Sequence, residues 1–140
     1  MKSSIKVFSL LFLVLISMNQ AFSREAVHAK GSLEGAFSSW GRTSLKGDWQ
    51  IQTIENKTYI VLADNFRAKE GPDVKIFLSP LEASQITGKN AAEGSAFIHL
   101  VSDFDGANRI EIPAGIDVNA YKSLVFHCEE YSVLWGVSPL

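Results

Sequence analysis

Sulfur is scarce in this chain, and its scarcity excludes several kinds of site. The 140 residues contain one cysteine, Cys128, and two methionines, Met1 and Met18. A single thiol cannot form an internal disulfide, a four-thiolate zinc site or an iron–sulfur cluster, because each of these needs several sulfur atoms. Any chemistry of Cys128 must therefore involve a partner molecule or a ligand.

An excess of charge of one sign is also missing. The chain carries 13 Lys and Arg against 15 Asp and Glu, which gives a formal net charge of -2. A basic nucleic-acid binder and an acidic disordered tail would each show one dominant sign. We therefore expect no nucleic-acid partner. The hydrophobic fraction of 46% over 140 residues is enough for one compact domain.

The longest apolar run lies at the N-terminus and predicts a signal peptide. Lys2 and Lys6 accompany the apolar run VFSLLFLVLI at 7–16, and Ala21-Phe22-Ser23 places small residues where a signal peptidase reads them. The run is too short to span a bilayer, which needs about 20 residues. We predict that residues 1–23 are removed, and that the protein is extracytoplasmic (secreted or periplasmic) and not embedded in a membrane.

The rest of the chain predicts one all-β domain after a short arm. Residues 24–31 show no sustained period and indicate a flexible arm. Residues 32–140 follow the period of two that is typical of strands, with at most a helical turn or two at 80–87. The predicted strands cover residues 49–53, 59–62, 74–78, 96–101, 109–112, 123–128 and 132–137. This pattern favours an antiparallel β-sandwich or a flattened barrel.

The last two predicted strands place the only thiol. Residues 123–128 and 132–137 are apolar on both faces, which is typical of central strands. A link at Glu129-Glu130, or a longer turn with Cys128 and Tyr131 at its shoulders, joins them into a hairpin. Cys128 therefore lies either inside a central strand or at the lip of its turn.

Three separated motifs resemble the DM-thirteen domain of Skeletor-type proteins. They are DNF at 64–66 with GPDV at 71–74, IPAGID at 112–117 followed by Tyr121 and Ser123, and FHCEEYSVLWG at 126–136. Each motif alone is short, but their order and spacing over residues 33–140 are similar to those of that family.

The resemblance implies a β-sandwich with one characteristic cysteine, here Cys128, that serves redox or electron-transfer chemistry. The leading hypothesis is therefore an exported redox module with Cys128 as its reactive centre and a redox protein or another extracytoplasmic protein as its partner. The alternative is a binding or scaffold module in which Cys128 is buried, the commonest fate of a free cysteine. A thiol only a few per cent accessible, with no His or Lys nearby, would favour the scaffold.

We predict neither haem nor copper as a cofactor. The chain lacks the Cys-x-x-Cys-His that attaches haem covalently, and a bound haem would need His28, His99 or His127 as an axial ligand. A blue-copper centre needs two His and a Cys, yet no His follows Cys128. His127 and Cys128 also point to opposite faces of a regular strand.

The remaining candidate residues, two aspartates and three tryptophans, fit structural roles better than functional ones. Asp64 and Asp73 flank a Gly-Pro turn, where aspartates that cap backbone groups are commoner than calcium ligands. Trp40, Trp49 and Trp135 could line a sugar-binding face, but core packing is the default for Trp49 and Trp135. No Gly-rich phosphate loop, Ser-His-Asp spacing or paired metal motif is present, so nothing in the sequence indicates an enzyme.

Overall fold

The computed structural model describes residues 25–38 and 41–140. The predicted signal peptide, residues 1–23, lies outside the described residues, as does Trp40. Among the residues described, no helix is long and apolar enough to cross a membrane.

The described part of the chain consists of short strands and two 3-10 turns. The strands are β1 (Ala26–Gly35), β2 (Phe37–Ser38), β3 (Gly41–Arg42), β4 (Leu45–Ile54), β5 (Lys57–Leu62), β6 (Arg67–Ala68), β7 (Val74–Ser79), β8 (Ala96–Leu100), β9 (Asn108–Glu111), β10 (Ser123–Cys128) and β11 (Val133–Pro139). The turns are Ala83–Gln85, where a helical turn was expected, and Val118–Ala120.

Nine of these strands form one antiparallel sheet. Its order is β8-β7-β10-β11-β1-β4-β5-β9, with β6 beside β4, and the sheet nearly closes into a barrel around the main core. β2 and β3 pair separately as a small hairpin. The predicted all-β antiparallel fold is confirmed, in the form of a flattened barrel.

The hairpin of β4 and β5 illustrates how the sequence pattern produces the fold. Trp49 and Ile51 alternate with polar residues along β4 and are buried, with exposed fractions of 2% and 0%. Glu55 and Asn56 form the two-residue turn and both have positive φ, 50° and 66°. Such a turn matches the right-handed twist of the flanking strands, so it fixes their register.

Of the segment expected to be a flexible arm, 24–31, residues 26–31 belong to strand β1 instead. β1 pairs with β4 from Ala26 onwards, and its last two residues pair with β11. Most of its side chains are exposed, so the strand leaves little apolar periodicity in the sequence. Gly31 lets the backbone of β1 lie close to the Trp49 ring, because a Cβ at this position would be only 3.0 Å from the ring. Backbone pairing holds most of this strand in place, and Leu33 anchors it in the main core.

Strands β10 and β11 are central, as predicted. β10 lies between β7 and β11, and all six of its residues are buried. Leu124, Phe126 and Cys128 face the main core. Val125 faces the other side, where the segment 80–95 covers the sheet with Ile86 and Ala91. This second small core explains why β10 is apolar on both faces.

Candidate functional site

Cys128 is the last residue of β10 and points into the barrel. It pairs with Val74 of β7 on one side and with Val133 of β11 on the other. Its exposed fraction is 0%. The turn that follows covers residues 129–132, and its residues are exposed. The longer of the two predicted turns is therefore the one observed, with Cys128 at one shoulder, but Tyr131 lies inside the turn and not at its other shoulder.

A loop segment lies over the thiol. The Sγ atom of Cys128 donates a hydrogen bond to the carbonyl oxygen of Pro72, at 2.8 Å. We call residues 69–73 the strap. At its first residue, the indole Nε1 of Trp135 donates to the carbonyl oxygen of Lys69 at 3.0 Å. At Gly71 the strap touches the Trp135 ring, since an added Cβ would lie 2.6 Å from it. The strap thus packs against Trp135 of the core.

The other end of the strap is fastened by Asp73. Its backbone carbonyl oxygen accepts a hydrogen bond from the Glu129 N–H at 3.3 Å, and its Oδ2 accepts one from the Glu130 N–H at 2.9 Å. Its Oδ1 lies 3.2 Å from Lys75 Nζ, which also lies 3.5 Å from Glu129 Oε1. We call Asp73, Lys75 and Glu129 the clasp. The Asp73 carboxylate therefore caps the turn after Cys128.

Burial and the neighbouring carboxylates keep the thiol of Cys128 protonated. Burial is the largest cause and raises the pKa of Cys128; a backbone hydrogen bond at Tyr131 lowers it, and the carboxylates of Asp73 and Glu130 raise it further. The Lys75 ammonium lowers the pKa only as the smallest of these influences. Because the thiolate is the nucleophile, Cys128 has little reactive form while it is covered.

His127 lies on the opposite face from Cys128, as the strand geometry predicts. It is 3% exposed, and its ring centroid lies 6.3 Å from that of Phe77. Nδ1 has no hydrogen-bond partner among the described residues. Burial is the main cause that lowers the pKa of His127. The imidazole is therefore neutral at neutral pH.

The structure does not assemble a metal site from the candidate ligands. His28 lies on β1 and donates to or accepts from Thr53 Oγ1 at 2.7 Å, whereas His99 lies on β8 and His127 on β10. Within residues 25–38 and 41–140, no group of three or more His, Cys, Asp or Glu side chains could hold a metal ion. The absence of a bound haem or copper stays a prediction.

The two tryptophans expected in the core are there. Trp49 and Trp135 are each 2% exposed, so neither forms a sugar-binding platform on the surface. Trp135 contributes to the site as the support of the strap.

Sequence reasoning missed Lys75 and the acceptor Pro72. Lys75 is the only charged residue of the strand VKIFLS, and its position two residues after the Asp of the Gly-Pro-Asp turn was a usable signal. The carbonyl oxygen of Pro72 leaves no signal in the sequence, because every residue has one.

Comparison with known protein families matches residues 37–140 to the family described as electron transfer DM13. Neither the comparison with curated proteins nor that with solved structures finds a match. The matched region is most of the chain, and it contains the strap, the clasp and Cys128. The resemblance carried by the three sequence motifs is confirmed. The chain therefore belongs to the electron transfer DM13 family.

Proposed function

We propose that this protein is an exported electron-transfer module and that Cys128 is its redox-active group. The observation that carries the proposal is the position of the thiol, beside an exposed turn and under the loop of the strap. A loop can move while the ladder of the sheet stays paired. Family membership supports electron transfer, and Cys128 is the only thiol that the chain contains.

The chemistry that suits a single thiol is thiol–disulfide exchange with a partner protein. The Cys128 thiolate attacks one sulfur of a partner disulfide, so a new Sγ–S bond forms and the partner S–S bond breaks. The Cys128 sulfur is oxidised, and the leaving sulfur is reduced to a thiolate. The proton released by Cys128 goes to that thiolate directly or through solvent. The partner disulfide is thus the oxidant, and the product is a mixed disulfide.

Exchange proceeds from an open form of the site. In the closed form the thiol is buried and its pKa is raised, chiefly by burial. Displacement of the strap removes that largest cause and admits the disulfide. The rate of exchange therefore depends on how often the strap opens.

The test is native modification of the thiol by a small disulfide reagent, followed by intact mass. We expect one adduct on the folded wild-type protein and none on the Cys128→Ser variant. A denatured wild-type sample, which must react fully, is the control for reagent activity. Wild-type protein that reacts only after denaturation would contradict the proposal.

A non-catalytic binding or scaffold module is the second candidate. The complete burial of Cys128 favours it, since a covered thiol packs like a small apolar side chain. The second condition for a scaffold, a thiol with no Lys or His nearby, is not met, because the Lys75 ammonium lowers the pKa of Cys128. A groove of about 530 Å³ on the outer face of β1, β4 and β5 would be its ligand site. At its edge Asp48 accepts hydrogen bonds from Ser32 Oγ at 2.5 Å and from Asn65 Nδ2 at 2.9 Å. The same modification experiment decides between the two candidates.

A further inference from the structure

We propose that Asp73 and Lys75 hold the strap closed over Cys128 and thereby control the access of a disulfide to the thiol. The role of this control in electron transfer rests on the proposed function, whereas the control of access does not. The proposal concerns the clasp rather than the thiol, and it identifies two positioning residues that do not touch the reacting sulfur.

The two ends of the strap differ in how easily they can be released. The first end is tied to the core, because Lys69 accepts the hydrogen bond of the Trp135 indole, whose ring is 2% exposed. The second end meets water: the side chains of Lys75 and Asp73 are 23% and 26% exposed, and that of Glu129 is 47% exposed. Ion pairs in contact with water are weak and exchange readily. Opening therefore begins at Asp73.

The backbone at Asp73 also favours release when the clasp is broken. Asp73 has a φ of 54°, in the left-handed region. Residues other than glycine occupy this region at a cost and stay there only when their surroundings hold them, although Asp and Asn tolerate it best. The bonds of the carboxylate to the Glu130 N–H and to Lys75 supply that restraint.

Lys75 forms ion pairs with both carboxylates of the clasp. Val74 beside it points into the core and is 1% exposed, so Lys75 points outward and lies between the carboxylates of Asp73 and Glu129. The hydrogen bond to Asp73 is the largest cause that raises the pKa of Lys75. The ammonium thus links the strap to the turn that follows Cys128.

The experiment measures the rate at which iodoacetamide, a small uncharged thiol reagent, labels Cys128 in the folded full-length mature protein. Asp73→Gly removes the carboxylate and suits the positive φ, and we expect labelling about tenfold faster than in wild type or more. Asp73→Asn keeps an acceptor oxygen for the Glu130 N–H but loses the charge, so a smaller acceleration is expected. Lys75→Met keeps the apolar stem and loses the cation, and should resemble Asp73→Asn.

The matched control is Glu82→Gln. It breaks the ion pair of Glu82 with Lys122, which is 3.0 Å long and lies beyond the opposite ends of β7 and β10. Labelling of this variant should match that of wild type. A second measurement repeats the labelling in low concentrations of urea. Opening of the strap alone exposes little surface, so its rate should barely change, whereas global unfolding responds steeply to urea.

Two results would overturn the proposal. One is an Asp73→Gly variant that is folded by circular dichroism yet labels at the wild-type rate. The other is faster labelling with the steep urea dependence of global unfolding. Failure of the proposed function looks different: folded wild-type protein would form no mixed disulfide with the disulfide reagent, while folded Asp73→Gly would still label rapidly with iodoacetamide, so the control of access would stand without the redox role.

Discussion

The contact between Gly71 and Trp135 offers a direct test of how the strap is seated. A Cβ added at Gly71 would lie 2.6 Å from Cη2 and 2.7 Å from Cζ2 of the Trp135 ring, and 3.2 Å from Val74 Cγ2. Carbon atoms at van der Waals contact are about 3.5–4.0 Å apart. The strap or the indole must therefore shift by roughly 1 Å in Gly71→Ala. We expect the free energy of unfolding to fall by about 1–3 kcal/mol, the usual cost of overpacking.

A double-mutant cycle isolates this contact. Trp135→Phe removes Cη2 and Cζ2, the two atoms that the new Cβ would meet, along with the indole N–H that donates to Lys69. Trp135→Phe alone should therefore destabilise the protein, by about 1 kcal/mol for the lost hydrogen bond plus a packing loss. In the double variant the overlap with the indole no longer exists, and only the milder approach to Val74 Cγ2 at 3.2 Å remains. We expect its loss of stability to be smaller than the sum of the two single losses, by about 1–3 kcal/mol.

Urea unfolding followed by circular dichroism gives all four free energies, and the four m-values must agree for the cycle to be valid. Gly71→Ala within about 0.5 kcal/mol of wild type would show that the strap does not rest on the ring. Additive losses would show that some other contact of Gly71 is responsible. Either result would refute the account of the strap given above.

Export, core packing and the ionisation of the thiol can each be measured directly. Exported protein should begin near Arg24 on N-terminal sequencing, and recovery of chains that retain Met1 in the cytosol would contradict export. Phe126→Ala should lower the free energy of unfolding by about 3–5 kcal/mol in urea titrations, because Phe126 is 0% exposed; a loss below about 1 kcal/mol would be inconsistent with its burial. The pKa of Cys128 is raised in the folded protein, so the folded state favours the protonated thiol. The protonated thiol therefore contributes its full stabilisation below the ordinary thiol pKa of about 8.5. This stabilisation is lost as the pH rises through the higher pKa of the folded state. Wild type should therefore lose stability relative to Cys128→Ser above that pH, and parallel pH profiles would contradict the raised pKa.

Strands in which buried apolar and exposed polar side chains alternate could be predicted from the sequence. The alternation of Trp49 and Ile51 with Gln50 along β4 predicted a core-facing side for this strand, and both apolar side chains are buried. Such strands carry their fold information in side-chain polarity, which the sequence displays directly. Four predicted strands, at 74–78, 96–101, 109–112 and 123–128, match the observed bounds to within one residue at each end.

The strap and β1 could not be predicted in the same way, because most of the hydrogen bonds that hold them have a main-chain group as at least one partner. The bond from Cys128 to Pro72 spans 56 positions, and that from Glu130 to Asp73 spans 57. Each uses a main-chain group that any residue at the same place would provide. The sequence does show Gly-Pro-Asp as a turn, but it does not show which distant turn the aspartate caps. β1 was missed for a related reason, since its exposed side chains carry no periodicity.

A covered thiol is consistent with a role in electron transfer outside the cytoplasm. In an oxidising compartment, an exposed single cysteine would form disulfides with any available thiol or oxidise further. The strap limits both reactions, because it buries the sulfur of Cys128 and holds it as the unreactive protonated form. Under the proposed function, the clasp would set the selectivity: a partner that competes for the carboxylates of Asp73 and Glu129 with its own cations would displace Lys75 and open the site where it docks. The clasp would then protect the thiol from unselective oxidation, and its opening would decide which disulfide Cys128 reaches.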